Sequence, residues 1–220
     1  ALEWFHAASL IQDDLPAMDD ERSRRGEATA HRKYGEAAAL LASDALVMLG
    51  FEELTQTAAG IGAEAALEIV ASATQCLGRD GLVGGQSQDL ELADFEAATI
   101  DDLLRVHERK TAPLFRLAAS GFAIAAACAP PRRQQMESAL GGLGVAFQIV
   151  DDLLDEQAGK GRQAASDRSK NKPSFAELMS REAAMRLAED YIGPLRALVS
   201  QGETANPLSR LLNFVLERGH

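Results

Sequence analysis

Aromatic side chains are scarce in this chain, 5 % of its 220 residues with one tryptophan and two tyrosines, whereas alanine is its commonest residue. The strands of a β-sandwich draw on aromatic and β-branched residues, and alanine is the strongest helix former, so the composition turns away from sandwich folds. Cysteine is nearly missing as well. Cys76 and Cys128 stand alone, with no CxxC or metal-ligand spacing, which removes disulfide scaffolds. Basic residues fall short of acidic ones, 22 against 33, for a net charge of −11 and a pI near 4.8. A chain so acidic makes a poor general binder of nucleic acid, which needs clustered Lys and Arg. A phosphate-bearing small molecule stays open to it, because metal ions invert the local sign. The longest apolar stretch, Leu117 to Ala129, is shorter than the roughly 20 residues that span a bilayer. No secretory segment is visible, and the cytoplasm is the expected compartment. At 23.5 kDa and 46 % apolar residues, the chain has ample material for one core without staples.

Proline is absent between Pro16 and Pro113 and again between Pro131 and Pro173, which leaves room for long uninterrupted helices. Gly35–Ala59 has Leu40, Leu41, Val47, Phe51 and Leu54 at helical spacing. Ala63–Leu77 forms a second helix, stopped by Gly78 and the Asp80-Gly81 turn signal. Thr99-Ile-Asp-Asp102 carries capping-box spacing ahead of Leu103, Leu104 and Val106. Further helices are expected over Thr111–Cys128, Arg132–Asp155, Phe175–Tyr191 and Pro207–Arg218, with prolines and glycines between them. No strand alternation, repeat or low-complexity tract stands out. The expected class is all-α, a single domain.

Two acidic clusters punctuate this pattern. The first, Ile11-Gln-Asp13-Asp14-Leu-Pro16-Ala-Met-Asp19-Asp20, sets four carboxylates around a proline that must bend or end the helix. The second, Phe147-Gln148-Ile-Val-Asp151-Asp152-Leu-Leu-Asp155, puts Asp151 and Asp155 on one helix face beside an apolar one. No Lys or Arg lies between Arg133 and Lys160 to soften that charge. Like charges at i, i+4 cost a few tenths of a kcal/mol even when exposed, so a cation is expected to compensate. Mg²⁺ suits such a place, since it takes one or two carboxylates and fills its sphere with phosphate oxygens. An exposed acidic helix end would explain either cluster alone; the pair, each beside basic residues, favours a metal–diphosphate site. Arg22, Arg24 and Arg25 follow the first cluster, in reach of fork-like contacts to diphosphate oxygens. Lys110-Thr111 precedes Pro113, whose ring opens the helix around Arg109. Lys170 and Lys172 follow the second cluster in a polar loop that suits a lid or plain solvation.

At these residues the chain resembles the trans-isoprenyl diphosphate synthases, the family of farnesyl and geranylgeranyl diphosphate synthases. His6 through Asp20 is similar to that family's first aspartate-rich motif, in the form with two extra residues between aspartates. Arg24-Arg25-Gly26, Gly85-Gln86 with Asp89, Lys110-Thr111, Phe147 to Asp155, and Asp167 to Phe175 match further motifs in the same order, and Val215-Leu-Glu-Arg218 resembles the usual ending. The resemblance covers essentially the whole chain. It implies a helical bundle around a deep apolar cavity, a homodimer, and the two clusters facing each other near the cavity mouth. Three Mg²⁺ ions would bridge Asp13, Asp14, Asp19, Asp151, Asp152 and Asp155 to an allylic prenyl diphosphate. Arg24, Lys110 and Lys172 would hold that diphosphate and Arg25 that of isopentenyl diphosphate, with Gln86 and Asp89 also in the substrate site. Lys110, Thr111 and Gln148 would stabilise the allylic cation that isopentenyl diphosphate attacks. The family's Gly-Lys-x-x-Arg segment and a further His, which complete the isopentenyl site, stand upstream of the first motif, so residues 1–220 are expected to be the domain without its N-terminal helices. The Glu156–Ser166 loop is a few residues shorter than usual, with Lys160 as the candidate for its lysine.

By the same resemblance Ala8 and Ser9 floor the product cavity, and the small Ala8 predicts a C20 product or longer. Two rivals remain: a class I terpene cyclase, disfavoured by the paired motifs and Arg24-Arg25, and a non-catalytic subunit of a hetero-oligomer, disfavoured by the intact aspartates. Glu3-x-x-His6 is half of a di-iron signature with no second copy. His31 and His107 are expected to be structural or on the surface. Gly141-Gly-Leu-Gly144 lacks the preceding strand of a dinucleotide loop and points to close helix packing. The acidic run at Glu91, Asp94 and Glu96 is expected to be solvated.

Overall fold

The computed structural model describes residues 1–92, 98–157, 172–200 and 207–217. They form helices and one small hairpin, and group into two compact units. Ala1–Val70 with Lys172 make the first, and the residues from Ala71 and again from Pro173 the second.

In the first unit, α1 (Leu2–Asp13) packs on α3 (Glu36–Gln56). Phe5 and Ala8 of α1 are buried, and Gly50 of α3 makes room for the Phe5 ring, from which a Cβ there would lie 2.3 Å. The Phe5 and Phe51 rings meet edge to face, centroids 5.2 Å apart. The Ser43 hydroxyl, fully buried on α3, donates to the Ala8 carbonyl at 3.1 Å. Between these helices run β1 (Ser23–Arg24), β2 (Glu27–Ala28) and α2 (Ala30–Tyr34). The strands are antiparallel, joined by Arg25-Gly26 with both φ positive (53° and 84°), the twist-matched two-residue turn of tight hairpins. The short α4 (Ala58–Ile61) follows, and the boundary between units falls within α5 (Ala63–Leu77).

The second unit is built on α9 (Pro130–Gln157), whose Leu143, Val145, Ala146, Ile149, Val150 and Leu153 are buried. Around it stand α8 (Ala112–Ala125), α11 (Arg181–Ser200), α7 (Ile100–Lys110), α10 (Phe175–Leu178) and α12 (Pro207–Glu217), while α6 (Leu82–Leu92) packs on α7. The capping box forms as expected: Asp102 N–H donates to the Thr99 hydroxyl oxygen and Thr99 N–H to the Asp102 carboxylate. No described helix is long and apolar enough to cross a membrane.

Several boundaries differ from the sequence expectation. The helix expected over Gly35–Ala59 ends at Gln56, where the Thr57 hydroxyl bonds back to the Leu54 carbonyl at 2.6 Å and competes with the helix ladder. Phe175–Tyr191 is two helices, because Met179 is extended and the Ser180 hydroxyl accepts from Ala183 N–H at the start of α11. Prolines do not all fall between helices: Pro130 and Pro131 open α9, where no N–H is missed, and Pro194 lies inside α11. Thr111–Cys128 shortens to Ala112–Ala125, and α6 was not anticipated. Asp94, Glu96, Lys160, Asp167, Lys170 and Arg218 lie outside the described residues.

Gly50→Ala is expected to destabilise the protein by about 1–3 kcal/mol through overpacking against Phe5. Gly60→Ala, which meets open space in α4, should be neutral or stabilising by a few tenths. Urea unfolding of the two variants separates a close approach from simple helix propensity.

Candidate functional site

The first acidic cluster begins where α1 ends. Pro16 cannot continue the helix, and the chain folds back on itself: Met18 and Asp20 donate to the Leu15 carbonyl, and Asp19 N–H to the Asp13 carbonyl at 2.9 Å. The two inserted residues therefore close a loop that returns Asp19 beside Asp13. Asp14 is buried and receives Arg24 as a fork, Nη2 at 2.7 Å and Nε at 3.0 Å. That bond holds the guanidinium protonated above its ordinary range. Asp19 receives the Lys172 ammonium at 2.6 Å, across 153 positions of sequence. Arg25, at the hairpin turn, is exposed.

A histidine the sequence left as structural supports this loop. The Thr29 hydroxyl donates to the Glu21 carbonyl at 2.7 Å, so its lone pairs face the buried His31 Nδ1 at 3.2 Å. Nδ1 is then the protonated nitrogen, and Nε2 faces Asp20 at 3.8 Å. Asp20 adopts a positive φ of 49°, a conformation aspartate tolerates better than most residues. Burial lowers His6 below its usual pKa, against the pull of Glu3. Ala8 is buried, and the Ser9 hydroxyl turns back to the His6 carbonyl.

In the second unit the motif residues separate by role. Asp152 points inward: its oxygens accept Phe175 N–H at 3.1 Å and the Gln148 amide at 3.1 Å. Burial is the main cause that pushes its carboxyl up to about 6, with Asp151 and Asp155 adding to the shift and the two bonds opposing it. Because an ionised carboxylate only accepts, the Gln148 NH₂ must face Asp152, which leaves the carbonyl oxygen as the other end of that dipole. Asp151 is half-buried and Asp155 exposed on the same helix. Lys110 Nζ bonds Asp89 at 2.7 Å, and Gly85 lets α6 touch the α7 backbone there, since a Cβ would lie 2.3 Å from Lys110 N. Pro113 sits in the first turn of α8, and the helix breaks at Thr111. Gln86 lies on the same α6, half-buried.

Among the described residues, no three His, Cys, Asp or Glu groups gather into a protein-only metal cage. Mg²⁺ does not demand one, because it keeps waters and phosphate oxygens around one or two carboxylates. The donor set fits such an ion: hard oxygens only, with Asp19 already holding a cationic ammonium.

Residues 1–198 match the family described as Polyprenyl synthetase. The chain is 35 % identical to a farnesyl diphosphate synthase of Bacillus subtilis (strain 168), over 90 % of this chain and 68 % of that protein. It is 32 % identical to geranylgeranyl pyrophosphate synthase 4 of Arabidopsis thaliana, over 100 % of this chain and 60 % of that one. A crystal structure of an FPP/GFPP synthase from Zymomonas mobilis superposes with a TM-score of 0.85 at 29 % identity, covering 98 % of this chain and 73 % of the other. The chain thus spans about two thirds of the length of its curated relatives.

Unfolded, Asp152 would titrate near 3.8; folded, it keeps its proton to about 6. Between those values the folded chain binds more protons, so the group favours folding fully at the acid end and that contribution is lost as pH rises through about 6. Without metal, Asp152→Asn should gain on the native chain by about 2 kcal/mol between roughly pH 4 and pH 7. A free-energy difference that stays flat with pH, measured by urea unfolding, would contradict an inward carboxyl at Asp152.

Proposed function

The chain belongs to the polyprenyl synthetase family of Mg²⁺-dependent trans-prenyltransferases, and we propose that the complete protein joins isopentenyl diphosphate to an allylic prenyl diphosphate. The observation that carries this reading is the fold-back loop, which brings Asp19 to Asp13 and seats a lysine ammonium on Asp19.

In this reading Asp13 and Asp19 hold Mg²⁺ from the first cluster, and Asp151 and Asp155 from the second, three ions in all. Bound Mg²⁺ supplies the positive charge that lets a diphosphate leave. Asp14 and Asp152 belong to the same two ligand sets and, like Asp19, are engaged by protein donors: Asp14 aims Arg24, and Asp152 aims the Gln148 carbonyl. Arg24, Lys110 and Lys172 hold the allylic diphosphate. Each is paired with a carboxylate, Asp14, Asp89 and Asp19 in turn, so each is delivered to a defined place. Arg25, exposed at the hairpin turn, takes the diphosphate of the isopentenyl substrate; Gln86 and Asp89 complete the substrate site. As the allylic C–O bond breaks, the cation left behind needs dipoles rather than nucleophiles, and the Lys110-Thr111 break with the oriented Gln148 amide provides them. The isopentenyl double bond attacks that cation, and the proton lost from the new cation passes to the departed diphosphate, which carries the C–O electron pair. A second copy of the chain is placed on the exposed apolar stripe of α3, Leu41 and Met48 with Leu40 and Leu49.

The complete protein, given Mg²⁺, labelled isopentenyl diphosphate and C5 to C15 allylic primers, should yield elongated prenyl diphosphates. Cyclic hydrocarbon would transfer it to the terpene cyclases, and absence of turnover to non-catalytic subunits. Asp19→Asn should lower kcat by about 10²-fold or more, the scale of losing one group that stabilises transition-state charge.

The product is proposed to be C20 or longer, with Ala8 small at the cavity floor. Ala8→Phe is expected to shorten it toward C15, at a stability cost of about 1–3 kcal/mol because Ala8 is already packed. A chromatogram with unaltered chain lengths would exclude Ala8 as the floor.

A further inference from the structure

The glycines of Gly141-Gly-Leu-Gly144 are not explained by the substrate chemistry above, and each meets a different neighbour. A Cβ on Gly141 would strike Arg116 (2.6 Å from Nε), one on Gly142 the Tyr191 carbonyl (2.3 Å), and one on Gly144 Phe115 and the Ala112 backbone. Three close approaches within four residues thus draw α8 and α11 onto α9 and set the placement of Arg116 and Tyr191. Both side chains then converge on one residue. The Arg116 guanidinium donates to the Glu108 carbonyl at 3.2 Å, and the Tyr191 hydroxyl to the Glu108 carboxylate at 3.1 Å. Burial, then the charge and hydrogen bond of Glu108, push the Tyr191 phenol up to about 12, so it stays a donor at neutral pH.

Glu108 is two residues before Lys110, in the last turn of α7. That turn is where a helix runs out of donors for its carbonyls, and Pro113 worsens the shortage because it brings no N–H toward Arg109. The break is held from the α6 side by Gly85 against the backbone and by the Asp89–Lys110 pair. On the other side Arg116 supplies a donor to the main chain, and Tyr191 fixes the side chain of the same residue. We propose that Arg116 and Tyr191, seated by Gly141, Gly142 and Gly144, are positioning residues that hold the Lys110–Thr111 break through Glu108. This rests on the role given to Lys110 and Thr111 in the proposed function, since a displacement of even 1 Å at a reacting centre is felt as a large loss of rate.

The test uses the complete protein with Arg116→Met, Tyr191→Phe, Lys110→Ala, and Arg105→Met as a control on an exposed residue of α7. Hydrogen exchange is read without ligands at the Thr111 amide, which bonds the His107 carbonyl at 3.0 Å. Protection there should fall at least about fivefold in Arg116→Met and about twofold in Tyr191→Phe, with α12 unchanged. In both variants kcat should fall by about 5- to 30-fold while KM for isopentenyl diphosphate holds, and Arg105→Met should match the parent. Unchanged protection, or lost protection with unaltered kcat, overturns the proposal. Should Arg116→Met loosen the whole fold, Tyr191→Phe decides alone, because it removes a single oxygen. If Lys110→Ala itself leaves turnover intact, the proposed function has misplaced Lys110; if Lys110→Ala is impaired and the two variants are not, only the positioning role fails.

Discussion

A carboxylate withdrawn from water must meet a cation or an N–H donor, and this demand organises both units around their acidic clusters. Asp14 is met by the Arg24 fork, Asp19 by Lys172, Asp89 by Lys110, and Asp152 by Phe175 N–H with the Gln148 amide. Such pairs contribute little net stability when formed, since desolvation offsets the attraction, but stripping one partner from a buried pair costs about 3–5 kcal/mol. Their main effect is therefore geometric. Each pins a basic or polar side chain that a solvated surface would leave to wander through its rotamers.

Close backbone approach is the second constraint, and glycine supplies it. Phe5 can enter the face of α3 only because Gly50 has no side chain, and α6 can reach the Lys110 backbone only because Gly85 has none. The same device recurs three times on α9. Helices brought this near exchange side-chain area for position, and position is what a site made of charged groups requires.

Much of this was legible beforehand. Period and proline gaps located the long helices, Thr99 and Asp102 announced the start of α7, and the acidic clusters with their basic neighbours pointed to diphosphate chemistry. Three kinds of feature were not legible, each for a physical reason. Local hydroxyl bonds at Thr57 and Ser180 ended or opened helices that apolar spacing alone would have run together. The hairpin turns on a positive φ at Arg25, which no propensity for arginine suggests. Finally, equal letters took unequal places: within Asp151-Asp152-Leu-Leu-Asp155, one carboxylate is turned inward to the Phe175 N–H and another is exposed, a distinction that spacing does not carry. Pairings such as Lys172 with Asp19, or Tyr191 with Glu108, join residues too far apart in sequence for local pattern to connect them.

Each cation that the proposed function gives to the diphosphate is paired with a carboxylate, which bears on how the proposed ligands would assemble. In that reading a diphosphate that took Lys172, or a metal that took Asp19, would break the bond between them. Either exchange by itself discards a charge-assisted bond of 2.6 Å. Were the two to arrive together, the ammonium would pass to a phosphate oxygen and the carboxylate to the metal, and the number of matched charges would be preserved. Each ligand then raises the affinity for the other by the same factor, as linkage requires. On that reading the Lys172–Asp19 bond is the point at which binding of metal and of diphosphate would be coupled.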